Sequence, residues 1–263
     1  MPSTTIQAID VHGHFGPYRR EGHPLLNELM TGDAATVVRR ARAADTRLTL
    51  VSPLLALLPR LQADAVAGND EARRVLPGRE GLLGWVVIDP RKPRTFEQAA
   101  EMLELPEFVG IKVHPEEHGY PITEHGREIF EFAAERRAVV LSHSGEANSM
   151  PADLVRFANE FPEVSLILAH LGNGFDGDPT YQVRGVQASR KGNVYVDTSS
   201  AKSITSGLIE WAVQEIGSER ILFGTDTPLY FAPMQRARID HAAITDADKQ
   251  RILCDNAARL FHF

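Results

Sequence analysis

His12 and His14 stand one residue apart in the run Ala8-Ile9-Asp10-Val11-His12-Gly13-His14. Alternate residues of a β-strand point to one face, so a strand ending here delivers both imidazoles side by side at its carboxyl end. Neutral imidazole is the commonest protein ligand for a divalent transition metal, and two on one rigid strand make half of a zinc site. Taken alone, the pair reads equally well as the polar start of a loop. Three later apolar runs also finish near metal-capable residues, His143, His170 and Asp226. That recurrence makes the pair a candidate centre.

The elements that must position these residues can be read along the chain. Apolar runs lie at 6–11, 47–51, 82–88, 109–113, 138–142, 164–169, 193–197 and 220–224. Most are hydrophobic throughout, as parallel strands buried on both faces require. Amphipathic stretches fall between them at 33–44, 60–76, 94–104, 123–136, 151–160, 178–191 and 203–217, with a last helical pair at 246–254 and 255–262. Helix-start signals include Asp33, Thr95 with Gln98 three residues on, Thr123 and Pro151. Eight strand–helix units without a linker predict an α/β fold, a (β/α)8 TIM barrel forming a single domain over 1–263. An open doubly wound sheet would carry a G-x-G-x-x-G turn after its first strand, and the sequence there is His-Gly-His-Phe-Gly-Pro.

In a barrel, the carboxyl ends of the strands converge on the face that holds the active site. Read in order, those ends carry His12 and His14, Ser52, Asp89, His114, His143, His170, Asp197 and Asp226. A catalytic divalent ion wants about three to four protein ligands and an open position. His12, His14 and His143 supply nitrogens. Asp226 supplies an anionic oxygen that can also take a proton; a turn aspartate bonding its own backbone is the alternative, and its strand-end position and charge favour ligation. His170 is placed as a further ligand, a proton donor or an electrophile. Lys112 shares a strand face with His114, and a salt bridge and a substrate-carboxylate contact both remain open. Asp197 either orients a ligand histidine or caps the loop Thr198-Ser199-Ser200-Ala201-Lys202-Ser203. His23, His118 and His125 read as surface residues, Asp10 as structural, and Trp85 and Trp211 as packing residues.

Bulk properties narrow the classes. A formal net charge of −7 argues against nucleic acid, and the densest basic run, 39–47, reads as a solvated helix face. No apolar stretch approaches the length of a membrane span. The single cysteine, Cys254, excludes an internal disulfide and a cysteine-based zinc knot. It fits a reducing compartment, and a cytoplasmic location is the expectation. The run Pro53-Leu54-Leu55-Ala56-Leu57-Leu58-Pro59 is apolar enough for a substrate wall or a homodimer contact.

The segments IDVHGH, GIKVHP, LSHSGE, LILAHLG, NVYVDTSS, LFGTDTP and the terminal ILCDNAARLF fall in order on successive strands. Together they resemble the motif series of the metal-dependent amidohydrolase superfamily, in the amidohydrolase-related branch that includes aminocarboxymuconate-semialdehyde decarboxylase. The resemblance covers essentially the whole chain. It implies a (β/α)8 barrel with a mononuclear zinc-like or manganese-like centre, with His12, His14, His143 and Asp226 as ligands and His170 as a catalytic histidine. In binuclear relatives a carbamylated lysine or a glutamate of the fourth strand bridges two metals. Lys112 lies on that strand but deeper than His114, so it reads as a group behind the ligands or facing the substrate. Thr227 stands where relatives often carry an aromatic residue, which predicts a roomier or more polar pocket.

The leading expectation is a hydrolase. In it, metal-activated water attacks an amide, lactone or ester-like bond of a small molecule, with Asp226 taking the water proton and His170 stabilising developing charge. The alternative uses the same residues for non-oxidative decarboxylation of a small carboxylated ring or enoic acid. A catalytically silent metal-binding or partner-binding barrel is a third class. Zinc suits three imidazoles and a carboxylate, with manganese or another divalent ion as the alternative.

Overall fold

Near-continuous apolar runs can be buried on both faces only if helices cover the outside of the sheet, and the chain folds that way. The computed structural model describes residues 6–199 and 204–263. Its eight strands are β1 (Ala8–Phe15), β2 (Thr46–Pro53), β3 (Leu82–Val87), β4 (Phe108–Val113), β5 (Val139–His143), β6 (Leu166–Ala169), β7 (Val194–Asp197) and β8 (Ile221–Leu222). They pair in parallel in sequence order. The cylinder returns on itself through backbone bonds: Val11 N donates to Phe223 O at 2.9 Å, His14 N to Thr227 O at 2.6 Å and Asp226 N to His12 O at 2.7 Å. The expected (β/α)8 barrel is the fold, as a single domain.

The helices are α1 (Pro24–Met30), α2 (Ala34–Arg42), α3 (Leu54–Leu57), α4 (Ala65–Val75), α5 (Pro93–Met102), α6 (Pro115–His118) and α7 (Ile122–Arg136). There follow α8 (Pro151–Glu160), α9 (Tyr181–Gln187), α10 (Leu208–Ile216), α11 (Ala232–Asp240), α12 (Asp246–Gln250) and α13 (Asn256–Phe261), the last two joined by a π-helical stretch, Arg251–Asp255. Among the described residues no helix is long and apolar enough to cross a membrane.

The first strand departs from simple alternation where it matters. Asp10 pairs with Thr49 and Gly13 with Val51, so three steps along β1 match two along β2. This bulge inverts the phase of the strand. Before it, Ile9 and Val11 point into the cylinder, where they pack with Leu50, Trp85, Leu141, Ile167 and Leu222. After it, Phe15 joins the outer layer between strands and helices, and His12 and His14 take the inner face. Trp85 fixes the irregularity from inside, donating its indole N–H to Val11 O at 3.0 Å. Asp10 fixes it from the other side. Its carboxylate accepts from His12 N at 3.0 Å, Thr225 N at 3.0 Å and Thr225 Oγ1 at 2.6 Å. Asp10 is structural, as expected, and it ties the histidine strand to the segment that carries Asp226.

Several local expectations need correction. Between β1 and α2, Pro24 opens α1, a helix that the sequence reading did not include; it buries none of its residues, so no apolar stripe announces it. Helix α11 was not foreseen either. The run at 53–59 offers little free apolar surface, since Leu54, Ala56 and Leu57 are buried within the chain. Asp33 caps α2 by accepting from Thr36 N, whereas Thr95 lies inside α5 and bonds back to Asp89 O and Lys92 O. His118 is not a surface residue: it is 3% exposed and donates Nε2–H to Ala56 O. Residues 200–203 of the expected loop at 198–203, and the start of the helical reading at 203–217, lie outside the described residues.

Side chains also hold the strand ends to their helices. Buried Asn69 of α4 donates to Val87 O at 2.8 Å and accepts from Val87 N at 2.9 Å, completing both backbone groups at the end of β3. Asn69→Ala strands both groups, at a cost of about 2–4 kcal/mol. Urea unfolding should show that loss as a lower midpoint with an unchanged slope.

Candidate metal centre

The bulge and the closing bonds bring His12, His14 and Asp226 together, with donor atoms all within 4.8 Å of one another. All three are buried, at 1%, 4% and 6% exposure. Asp226 adopts a left-handed backbone (φ 58°), a region aspartate tolerates better than most residues. Leu229 N and Tyr230 N donate to its carbonyl, closing the turn after it. His14 Nε2 lies 2.8 Å from Asp226 Oδ1, and His12 Nε2 lies 3.6 Å from the same oxygen.

Groups behind these three set their orientation. Asp197 Oδ2 accepts from His12 Nδ1 at 2.8 Å, which leaves the lone pair of His12 on Nε2, facing Asp226. Asp197 combines the two roles read for it, since its Oδ1 also accepts from Ser199 N in the loop after β7. Ser52 Oγ lies 3.1 Å from His14 Nδ1, so this strand-end serine supports His14. Carboxylate or hydroxyl partners of this kind fix ligand histidines in metal sites.

The electrostatics follow from burial. Burial opposes ionisation of Asp197, yet the adjacent His12 ring holds it at about 2. The same contest at Asp226 is won by the hydrogen bond from His14 and the neighbouring imidazoles, which keep it well below the ordinary carboxylate range. Burial lowers His12, favouring the neutral ring that a ligand must be. Lys112 does not stay remote from the cluster. Its Nζ lies 3.0 Å from His12 Nε2, and burial lowers it to about 8 against the pull of Asp197 and Asp226.

Two imidazole nitrogens and one anionic oxygen converging at this spacing fit a single divalent cation. The Lys112 ammonium resting on His12 Nε2 shows that this position attracts positive charge. A second grouping, His12, His170 and Asp197, also brings donor atoms within 4.8 Å. The Ser199 hydroxyl stands among them, 2.9 Å from His12 Nδ1 and 2.6 Å from His170 Nδ1. In that grouping His12 would have to use Nδ1, the nitrogen whose N–H Asp197 accepts.

His143 stands apart from the triad. Its Nδ1 lies 3.2 Å from His170 Nε2 and its Nε2 lies 3.0 Å from Glu146 Oε1. His170 in turn stacks on His12, with ring centroids 4.8 Å apart. His114 stacks on His143 at 4.1 Å and accepts from Glu117 N through Nδ1, capping α6. Thr227 packs toward Gly13 of β1 rather than into open space. Ser199 and Glu146 went unassigned in the sequence. Their signals were positional, two residues after Asp197 and three after His143.

The family model described as amidohydrolase matches residues 9–263. Among curated proteins, gamma-resorcylate decarboxylases from Rhodococcus jostii and Polaromonas sp. are 29% and 30% identical over 117 and 124 residues, 39% of this chain in each case. These matches span only 35% and 36% of the relatives' own length. Among solved structures, 2,6-dihydroxybenzoate decarboxylase complexed with 2,6-dihydroxybenzoate superposes with a TM-score of 0.77 at 17% identity, covering 98% of this chain and 100% of that one. A Polaromonas dihydroxybenzoic acid decarboxylase with manganese and 2-nitroresorcinol gives 0.74 at 17%, covering 98% and 97%. The 5-carboxyvanillate decarboxylase of Sphingomonas paucimobilis gives 0.73 at 14%, covering 98% and 100%. At such identities the superpositions establish a shared fold.

These relatives correct the expectation of hydrolysis. Both curated ones are decarboxylases, and they back the alternative reading. The physical reason for the error is that the donor set is common to both reactions, so ligand spacing alone could not choose between them.

The geometry makes Asp197 the group that aims His12. Asp197→Asn should weaken manganese or zinc binding about 10–100-fold while leaving the thermal midpoint within a few degrees. Competition against a chelating dye measures the first quantity and calorimetry the second. Unchanged metal affinity would refute the orienting role.

Proposed function

This chain belongs to the amidohydrolase family, and we propose that it is a metal-dependent decarboxylase of a small aromatic carboxylic acid. The observation that carries the reading is that both curated relatives are decarboxylases. The buried, imidazole-rich cluster at the carboxyl ends of the strands supports it. His12, His14 and Asp226 would hold the ion, with His143 turning Nδ1 toward it as a fourth ligand. We favour manganese, present in a relative of the same fold, over the zinc that an imidazole-rich set would suit.

A divalent cation held by these residues would supply Lewis-acid stabilisation of the negative charge on a substrate carboxylate. The chain supplies the rest. Asp197 and Ser52 fix the two histidines of β1, so no ligand has to reorient during the reaction. The strand ends and their loops bury the cluster, which keeps competing water from the carbon that loses CO2. In the net change, CO2 leaves and one proton takes its place on the ring carbon. Asp226 and His170 border the cluster and can change protonation, and they handle that proton.

Protein reconstituted with manganese should convert 2,6-dihydroxybenzoate or a related hydroxybenzoate to the corresponding phenol. Evolved CO2 should match the substrate lost. In deuterium oxide, the product should carry one deuteron at the vacated ring position. Chelation or Asp226→Ala should remove the activity by at least about 100-fold. Turnover of amides or lactones, with no CO2 from any aromatic acid, would overturn the proposal.

A further inference from the structure

The proton count around Ser199 decides which nitrogen of His170 is free. A serine hydroxyl has one proton to give and can accept two hydrogen bonds. Ser199 Oγ contacts Asp197 Oδ1, His12 Nδ1 and His170 Nδ1. Asp197 also takes an N–H from Ser199 and the ring N–H of His12. A carboxylate so placed is an acceptor, and the Ser199 proton is therefore committed to it. What Ser199 has left for His170, 2.6 Å away, is an oxygen lone pair.

We propose that Ser199 is a positioning residue that fixes His170 in its Nδ1–H form, so that an Nε2 lone pair faces the space beside His143. A neutral imidazole carries a single N–H, so Nε2 cannot also be a donor. From the other end, His143 donates Nε2–H to Glu146 Oε1 at 3.0 Å, which leaves a lone pair on its Nδ1. The two lone pairs meet at 3.2 Å. Neither can satisfy the other, so the two lone pairs are open together to a cation. His170 thus enters the reaction as an acceptor or a cation ligand. On the decarboxylase reading, its Nε2 can receive or relay the reaction's proton but does not begin as its donor.

This consequence rests on the decarboxylase reading; the tautomer does not. Protein labelled with 15N-histidine, metal-free or loaded with diamagnetic zinc, reports each tautomer through long-range 1H–15N correlations, with His170→Gln supplying the assignment. The wild-type spectrum should show His170 protonated at Nδ1 in the metal-free state. In Ser199→Ala the ring should move to the Nε2–H form or a mixture, and zinc affinity should fall about 10–100-fold. Ser199→Thr keeps the hydroxyl and should restore both. If decarboxylation is found, kcat should fall in Ser199→Ala with KM changed less than about twofold. An Nε2–H His170 in the wild-type protein refutes the proposal without any variant, which covers the case where Ser199→Ala does not fold. An unchanged tautomer and unchanged zinc affinity in Ser199→Ala refute it as well. Failure to release CO2 would instead count against the decarboxylase reading and leave the tautomer result standing.

Discussion

Between Asp10 and Gly13 the first strand carries one residue more than its neighbour can match, and the cluster is built on that mismatch. Strict alternation from Ile9 and Val11 would send His12 and His14 outward against the helices. The bulge turns them inward, and Trp85 and Asp10 hold it from opposite sides. The bonds from Asp10 to Thr225 also bring the segment bearing Asp226 alongside. A single local irregularity therefore places two donor groups of β1 beside a third that lies more than two hundred positions away in sequence.

Charge balance follows from that geometry. Two buried carboxylates, Asp197 and Asp226, are tolerated because imidazole N–H groups and the Lys112 ammonium compensate them. Taking such charges out of water is costly unless they are paired and hydrogen-bonded. A divalent cation among the same groups answers the same demand with better geometry. The lone pair on His12 Nε2 serves one cation at a time, so loading an ion moves the Lys112 ammonium off it.

Much of the fold was legible because burial writes itself into sequence. All eight strands coincide with apolar runs, since a strand covered on both faces has no polar positions to interrupt it. His12, His14 and Asp226 were legible because they end such runs. The bulge was not, since one extra residue leaves no mark on composition. Helix α11 has almost no apolar stripe, and α1 has no buried face, so neither differs in pattern from a loop. His118 looked like a surface residue because its burial depends on a carbonyl sixty-two positions away.

The direction of the chemistry was hidden for a different reason. Ligand spacing reports where a cation fits and says nothing of which neighbour holds a proton. Hydrolysis needs a base beside bound water, whereas decarboxylation needs an acid beside a carbon. Here the protonation of the ring nitrogens is set by Ser199, Glu146 and Asp197, side chains outside the His12, His14 and Asp226 cluster. Each of them is a hydrogen-bond partner of a ring nitrogen, and by taking one N–H it dictates that the opposite nitrogen is bare. The reactive character of three histidines is thus written in three residues whose positions only the folded chain reveals.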